Sequence, residues 1–209
     1  MSASELLIFG GEPALAALAW RLEVPFLSAS TAPVGGGIGL RNWVLNVQVP
    51  ERYDRRDISA HIADVAAALC LVDDGVGMLT AAEVAAVGVA EDAGVRVEAT
   101  VGLGWPVWAA VPAAESKTTI GPGTLNTVVF LPARHSDAAL ANLLCTVTEA
   151  KVQALLEAGV AGTGTASDAV TVLCPASGTT EPFGGPRSAY GAPVARAVHA
   201  ALRSGMSAR

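Results

Sequence analysis

The chain alternates short apolar runs with turn-forming clusters, and the spacing inside each run assigns the elements. Residues 14–21, 25–32 and 43–49 are apolar or β-prone runs that predict strands, with Gly35, Gly36 and Gly37 marking a turn. Over residues 57–71 the period changes. Ile58, Ile62, Val65, Ala66 and Leu69 recur at helical spacing, and Asp57 stands where a cap belongs. Residues 78–80, 84–89, 95–101 and 125–131 predict further strands. Residues 136–158 form the longest helical pattern, capped by Ser136 or Asp137 and stopped by Gly159. A strand over 169–173 and a helix over 192–203 close the chain, leaving a frayed tail from Ser204 to Arg209.

Two stretches read alike at an offset of about 84 residues. The first is NWVLNVQVP at 42–50, a helix from Asp57, then GMLTAAEV at 77–84. The second is NTVVFLP at 126–132, a helix from Asp137, then GTASDA at 164–169. This pattern predicts an internal duplication with units at about 40–90 and 123–174; chance similarity between two Ala-rich segments is the alternative. The fold expected is α+β, a mixed or two-layer β-sheet with packed helices. It is built from two related β-α-β units with pseudo-two-fold symmetry, in a single domain over 1–209. Duplication would make Glu83 and Asp168 equivalent, and symmetric loops of this kind often meet at one cleft.

The long helix carries an anomaly. At 100° per residue, Asn142, Thr146, Glu149 and Gln153 share one face, while Leu140, Leu144, Val147, Ala154 and Leu155 share the other. Lys151, with Lys117 one of two lysines in the chain, falls in the middle of the apolar face. Such an ammonium must find a partner, titrate to neutral or snorkel out. Catalysis by Lys151 therefore competes with a structural ion pair to Asp168 or Glu83, or with a side chain at the helix edge.

Composition narrows the function. Hydrophobic residues make up 52% of the 209 positions and charged ones 15%, enough core to exclude disorder. A net charge of −6 without a basic patch excludes a nucleic-acid partner. No apolar run suits a membrane span, and the start of the chain has no basic region of a signal peptide. Cys70, Cys145 and Cys174 are widely spaced in apolar runs and read as reduced, buried thiols of a cytoplasmic protein. His61, His135 and His199 lack zinc spacing, so neither metal nor cofactor is expected. A homodimer is an assembly that the sequence leaves open.

Three glycine-rich motifs remain. In GPGTLN at 121–126, glycines open the backbone to a ligand and Thr124 and Asn126 add polar tips; a tight entry to a strand explains it equally. In GTGTASD at 162–168, small residues, hydroxyls and an acid suit a nucleophile or an oxyanion hole, with Thr165 and Asp168 as the chemical groups. It lacks the Lys-Ser/Thr ending of a phosphate loop. In ATVGLGWP at 99–106, Gly102 and Gly104 beside Trp105 suit a flat ligand, or else a hairpin end with a core tryptophan. No G-x-S-x-G elbow is present, so a carboxylate or Lys151 is the expected base.

GTLN at 123–126, TEAK at 148–151, GTGTASD at 162–168, GMLTAA at 77–82 and ATVGL at 99–103 together resemble the adenosylcobinamide amidohydrolase family. The resemblance covers about residues 30–203. It implies an amidase of corrinoid salvage that cleaves the aminopropanol arm from adenosylcobinamide, giving adenosylcobyric acid and 1-amino-2-propanol. The corrinoid would be substrate and not cofactor. Two departures, Ser167 where the family usually has threonine and the 183–191 loop, bear on substrate range. The resemblance supplies a reaction and not roles; from the residues themselves Lys151, Asp168, Thr165 and Glu83 are the expected catalytic residues, and Thr124, Asn126, Gly102, Thr80 and Asn42 the substrate contacts. A corrinoid-binding module without turnover, or a hydrolase of another small amide, are the alternatives.

Overall fold

The computed structural model describes residues 3–9, 15–112 and 123–207. The positions called above at Ala14, Lys117, Gly121, Pro122, Ala208 and Arg209 lie outside them. Among the described residues eight strands form one mixed sheet: β1 (Glu5–Phe9), β2 (Leu15–Ser30), β3 (Gly37–Gln48), β4 (Gly75–Thr80), β5 (Gly88–Asp92), β6 (Val95–Val101), β7 (Leu125–Phe130) and β8 (Ala169–Pro175). Three helices, α1 (Ile58–Ala68), α2 (Asp137–Glu157) and α3 (Gly191–Ser207), pack against it. The order is β4-β3-β2-β8-β7-β6-β5, with β1 on the free edge of β2. Two neighbours are parallel, β3 with β4 and β7 with β8, and α1 and α2 make these two crossovers. The other pairings are antiparallel.

Residues that alternate along β8 explain why it is apolar at all positions but Thr171. Val170, Val172 and Cys174 face Leu140, Leu143, Val147, Val194 and Val198 of α2 and α3. Ala169 and Leu173 face the opposite way, into a second core with Trp20, Val44, Met78, Val128 and Phe130. Both faces are buried, and the one polar residue, Thr171, is paired through its hydroxyl with Ser30. A third cluster seats Ile62 and Val65 of α1 on Ala17, Ala19, Leu45 and Val47. The sheet curls on itself around the second core. Asn46 of β3 hydrogen-bonds Thr100 of β6 and Asn126 of β7, and Thr171 of β8 lies 3.8 Å from the Met78 sulfur on β4.

Helix ends follow their sequence signals in α2. The Ser136 hydroxyl accepts from Ala139 N at 3.1 Å, which settles the cap in favour of serine. Gly159 at φ 74° lets the Gly159 and Val160 amides close onto Leu156 and Leu155. Asp57 takes the cap position of α1 but gives no side-chain cap bond, because its carboxylate is held by the Arg55 guanidinium at 2.6 and 2.9 Å.

Several expectations are corrected. The first strand, Glu5–Phe9, was not anticipated, and 84–89 is not one strand but a 3-10 turn at Val84–Ala86 followed by β5. The tail does not fray at Ser204: helix α3 continues to Ser207, with buried Gly205 against Val101 and Gly88, where a side chain would collide. Cys70 and Cys145 are exposed; only Cys174 is buried, and burial raises its thiol. Thr146, read as polar face, is buried with its hydroxyl on Gly184 O at 2.8 Å. No helix among the described residues is long and apolar enough to cross a membrane.

His135 at the β7–α2 turn is fully buried, with Nδ1 2.8 Å from Ala133 O and its ring edge on Tyr190. Burial pushes its pKa below the ordinary imidazole value, against the opposing pull of the Ala133 carbonyl. The unfolded chain then binds the proton more readily than the folded one. Stability is therefore full above about pH 6.5 and falls as the pH drops below it. Thermal melts from about pH 7.5 to 5.5 should show this fall, and His135→Gln should flatten part of it. An unchanged slope in that variant would assign the proton elsewhere.

Candidate active site

The register of α2 turns Lys151 inward with Val147, Ala150, Ala154 and Leu155. It is 9% exposed, and its Nζ lies 2.6 Å from Asp168 Oδ2. Asp168 sits immediately before β8, and its carboxylate gathers four donors. Oδ2 also accepts Thr165 N at 3.1 Å; Oδ1 accepts the Thr165 hydroxyl at 2.5 Å and Leu125 N at 2.9 Å. One carboxylate thus fixes the ammonium, the start of β7 and the Thr165 hydroxyl. An ion pair this enclosed holds only because further hydrogen bonds fill the remaining acceptor positions.

Gly164 makes room for the pair. A Cβ there would lie 2.3 Å from Asp168 Oδ2 and 2.6 Å from Lys151 Nζ. Gly164→Ala must push the pair apart, which should cost about 1–3 kcal/mol and lower the melting temperature accordingly. An alanine variant that melts with wild type would show that the pair can shift freely.

A cleft of about 460 Å³ opens beside this group. Thr80, Thr124, Asn126 and Ser167 line it, together with Tyr53 and Arg55 from the 49–57 segment. It lies where β3 and β4 end and β7 and β8 begin, because the two parallel pairs run in opposite senses around the curl. A second lobe of about 330 Å³, lined by Gly102, Gly104 and Trp105, shares Glu51, Ala81 and Gly123 with the first. Gly123 is the thin part of the wall. A Cβ there would meet Gly102 O, Trp105 N and the Thr165 methyl at 3.0–3.3 Å, so Thr165 stands one residue layer behind the cleft.

The polar lining is unevenly satisfied. Ser167 Oγ lies 2.8 Å from Thr124 Oγ1 and donates to Gly123 O at 3.1 Å. Asn126 Nδ2 donates to Asn46 Oδ1 and Leu79 O at 2.8 and 2.9 Å, while its Oδ1 is buried without a partner. Unmatched acceptors of this kind are costly, and this one is enclosed by protein behind the cleft lining. The backbone N–H groups of Ala166 and Ser167, both on the cleft lining, carry no hydrogen bond from the described residues. Thr80 caps its own strand end, accepting from Ala82 N at 3.0 Å, and Gly102 N donates to Thr124 O at 2.9 Å.

Of the residues singled out from sequence, Lys151, Asp168 and Thr165 form one bonded group, and Thr80, Thr124, Asn126 and Gly102 line the adjoining cleft. Glu83 does not join them. It follows β4, where Asp168 precedes β8, and its exposed side chain forms no ion pair with Lys151. Asn42 lies in mid-strand on β3 and not on the cleft lining, its backbone N–H on Asp74 O, and Asn46 takes the inner position instead. Asn46 had a legible signal, a polar residue on the inward register of Val44. Tyr53 had none; its hydroxyl lies 2.7 Å from His61 Nδ1, and burial lowers that imidazole and raises the phenol. Among the described residues no group of three or more His, Cys, Asp or Glu side chains converges on a point where a metal ion could be held.

Comparison with known proteins bears on what this arrangement does. Residues 9–209 match the family model described as adenosylcobinamide amidohydrolase. A Halobacterium salinarum protein of that name is 32% identical over 182 residues, covering 83% of this chain and 78% of that protein. A Methanosarcina mazei protein of the same name is 28% identical over 193 residues, covering 88% of this chain and 92% of that one. Among solved structures, the PH0078 protein from Pyrococcus horikoshii OT3 overlays 98% of this chain and 82% of its own at 11% identity and a TM-score of 0.49.

Proposed function

The chain belongs to the adenosylcobinamide amidohydrolase family, and from that premise we propose that it cleaves its substrate through a Thr165–Asp168–Lys151 relay. The reaction is hydrolysis of the amide between the corrin side chain and the aminopropanol arm, releasing adenosylcobyric acid and 1-amino-2-propanol. The observation that carries the mechanism is the Thr165 hydroxyl already bonded to a carboxylate whose other oxygen holds a buried ammonium.

In the first step the Thr165 proton passes to Asp168 Oδ1 as Oγ1 attacks the amide carbon. The C–N bond then breaks, and the proton leaves with the aminopropanol nitrogen. Water hydrolyses the resulting ester to the corrin carboxylic acid and restores the hydroxyl. Alternatively, Thr165 orients a water that attacks in its place. Lys151 Nζ donates to Oδ2 and holds the carboxylate in the orientation that receives the proton. The unbonded N–H groups of Ala166 and Ser167 are the nearest backbone donors for the developing oxyanion. Thr124 and Asn126, both on the cleft lining, meet amide groups of the substrate. Glu83 has no part in the relay.

The duplication belongs to the same reading. Two parallel β-α-β units and the direct bond between Asn46 and Asn126 across the curl support a pseudo-two-fold origin. The test of the function is direct. Purified protein incubated with adenosylcobinamide should release 1-amino-2-propanol and adenosylcobyric acid in equal amounts. Binding without release would favour a corrinoid-binding module, and neither binding nor release would point to another amide.

A further inference from the structure

Trp105 is the feature that the relay leaves unexplained. The chain has four tryptophans, and two of them, Trp20 and Trp43, are buried at 1% and 7%. Trp105 is 49% exposed, where an indole would ordinarily be driven into a core. Its segment is not loose: Val107 N donates to Gly164 O at 2.8 Å, and Thr163 N donates to Val107 O at 2.9 Å. Those bonds fasten it to the loop that carries Thr165. Trp105 also lines the second lobe of the cleft, and its backbone abuts Gly123, which in turn abuts the Thr165 methyl. The indole is thus held open to solvent one residue layer from the reacting hydroxyl.

The size of the site gives this indole a role. A cleft of about 460 Å³ admits an amide-bearing arm but not a corrin macrocycle with its adenosyl ligand. The macrocycle must therefore rest outside, on whatever surface borders the cleft. That surface has to offer a flat apolar face, because the ring is flat and largely apolar away from its amide edge. We propose that Trp105 is a specificity-determining residue that stacks against the macrocycle and so steers the aminopropanol arm past Gly123 toward Thr165. This rests on the corrinoid reading of the site and adds the element that selects the ring rather than the amide. Trp108, 47% exposed but absent from the cleft lining, is the natural comparison.

The experiment measures binding of adenosylcobyric acid, which keeps the macrocycle and lacks the arm, by equilibrium dialysis and by quenching of tryptophan fluorescence. Trp105→Ala should weaken binding at least about tenfold, and Trp105→Phe should restore part of it. Trp108→Ala should bind as wild type. With adenosylcobinamide, Trp105→Ala should raise KM by a similar factor and leave kcat unchanged. Trp105 stands outside the cores, so the melting temperature should not move. Wild-type affinity in Trp105→Ala, an equal loss in Trp108→Ala, or no binding by the wild-type protein would overturn the proposal. A wild-type protein that binds the corrinoid in this manner but releases no aminopropanol would leave the stacking role standing and remove the reaction.

Discussion

Thr165→Val is expected to abolish amidase turnover in a protein that still folds. Valine keeps the shape of threonine and the methyl contact beneath Gly123, and Asp168 retains Leu125 N, Thr165 N and Lys151 as donors. The stability loss is confined to one hydrogen bond, about 1 kcal/mol. The expected loss in rate is far larger, on the order of 10³-fold or more, because the proposed relay loses the group that attacks or positions the attacker. Thr165→Ser restores the hydroxyl and should recover most of the rate. Steady-state kinetics with melts as the folding control check this. Hydroxylamine trapping of a corrinoid acyl group separates attack by Thr165 from attack by water. Near-normal turnover in Thr165→Val would remove Thr165 from the mechanism.

Lys151→Met is expected to damage fold and function together. Methionine fits the apolar face of α2 better than lysine does, so packing alone predicts little harm. The harm comes from Asp168, whose side chain is 10% exposed and loses its counter-charge. Removing one partner of an enclosed pair costs about 3–5 kcal/mol, here near the lower figure because three neutral donors remain. For a chain of this size that corresponds to a fall in melting temperature of about 10 °C. Adding Asp168→Asn to Lys151→Met removes the stranded charge and should recover part of the stability and none of the activity. The readout is a double-mutant cycle on Tm and kcat. A Lys151→Met protein as stable as wild type would make the ammonium a bystander.

Local periodicity carried the parts of this structure that depend on neighbours in sequence. The apolar stripe of α2 placed Lys151 inside and made Asp168 one of two candidate partners; the choice between Asp168, Glu83 and a side chain at the helix edge was not legible in sequence, and the structure pairs Lys151 with Asp168. Equivalence of Glu83 with Asp168 failed because the repeat was aligned by residue type and not by position in the strand. Gly77 to Thr80 is strand β4 itself, whereas Gly164 to Asp168 is the loop before β8. The meeting of Asn46 with Asn126 depends on how far the sheet curls, which no local pattern records. Cys145 misled because its apolar neighbours Leu143 and Leu144 flank it on a helix, where adjacent residues point about 100° apart. The α3 tail is held by Gly205 against Gly88, a contact legible only once both glycines are in place.

In the proposed relay Asp168 receives the proton of the Thr165 hydroxyl, and in the structure it holds Lys151 and ties β7 to β8. The most direct test is the rate of 1-amino-2-propanol release from adenosylcobinamide by Asp168→Asn, compared with wild type at equal folded concentration. The relay predicts a fall of about 10²–10⁴-fold, the range for loss of a general base. A folded Asp168→Asn protein that releases aminopropanol at the wild-type rate would contradict it.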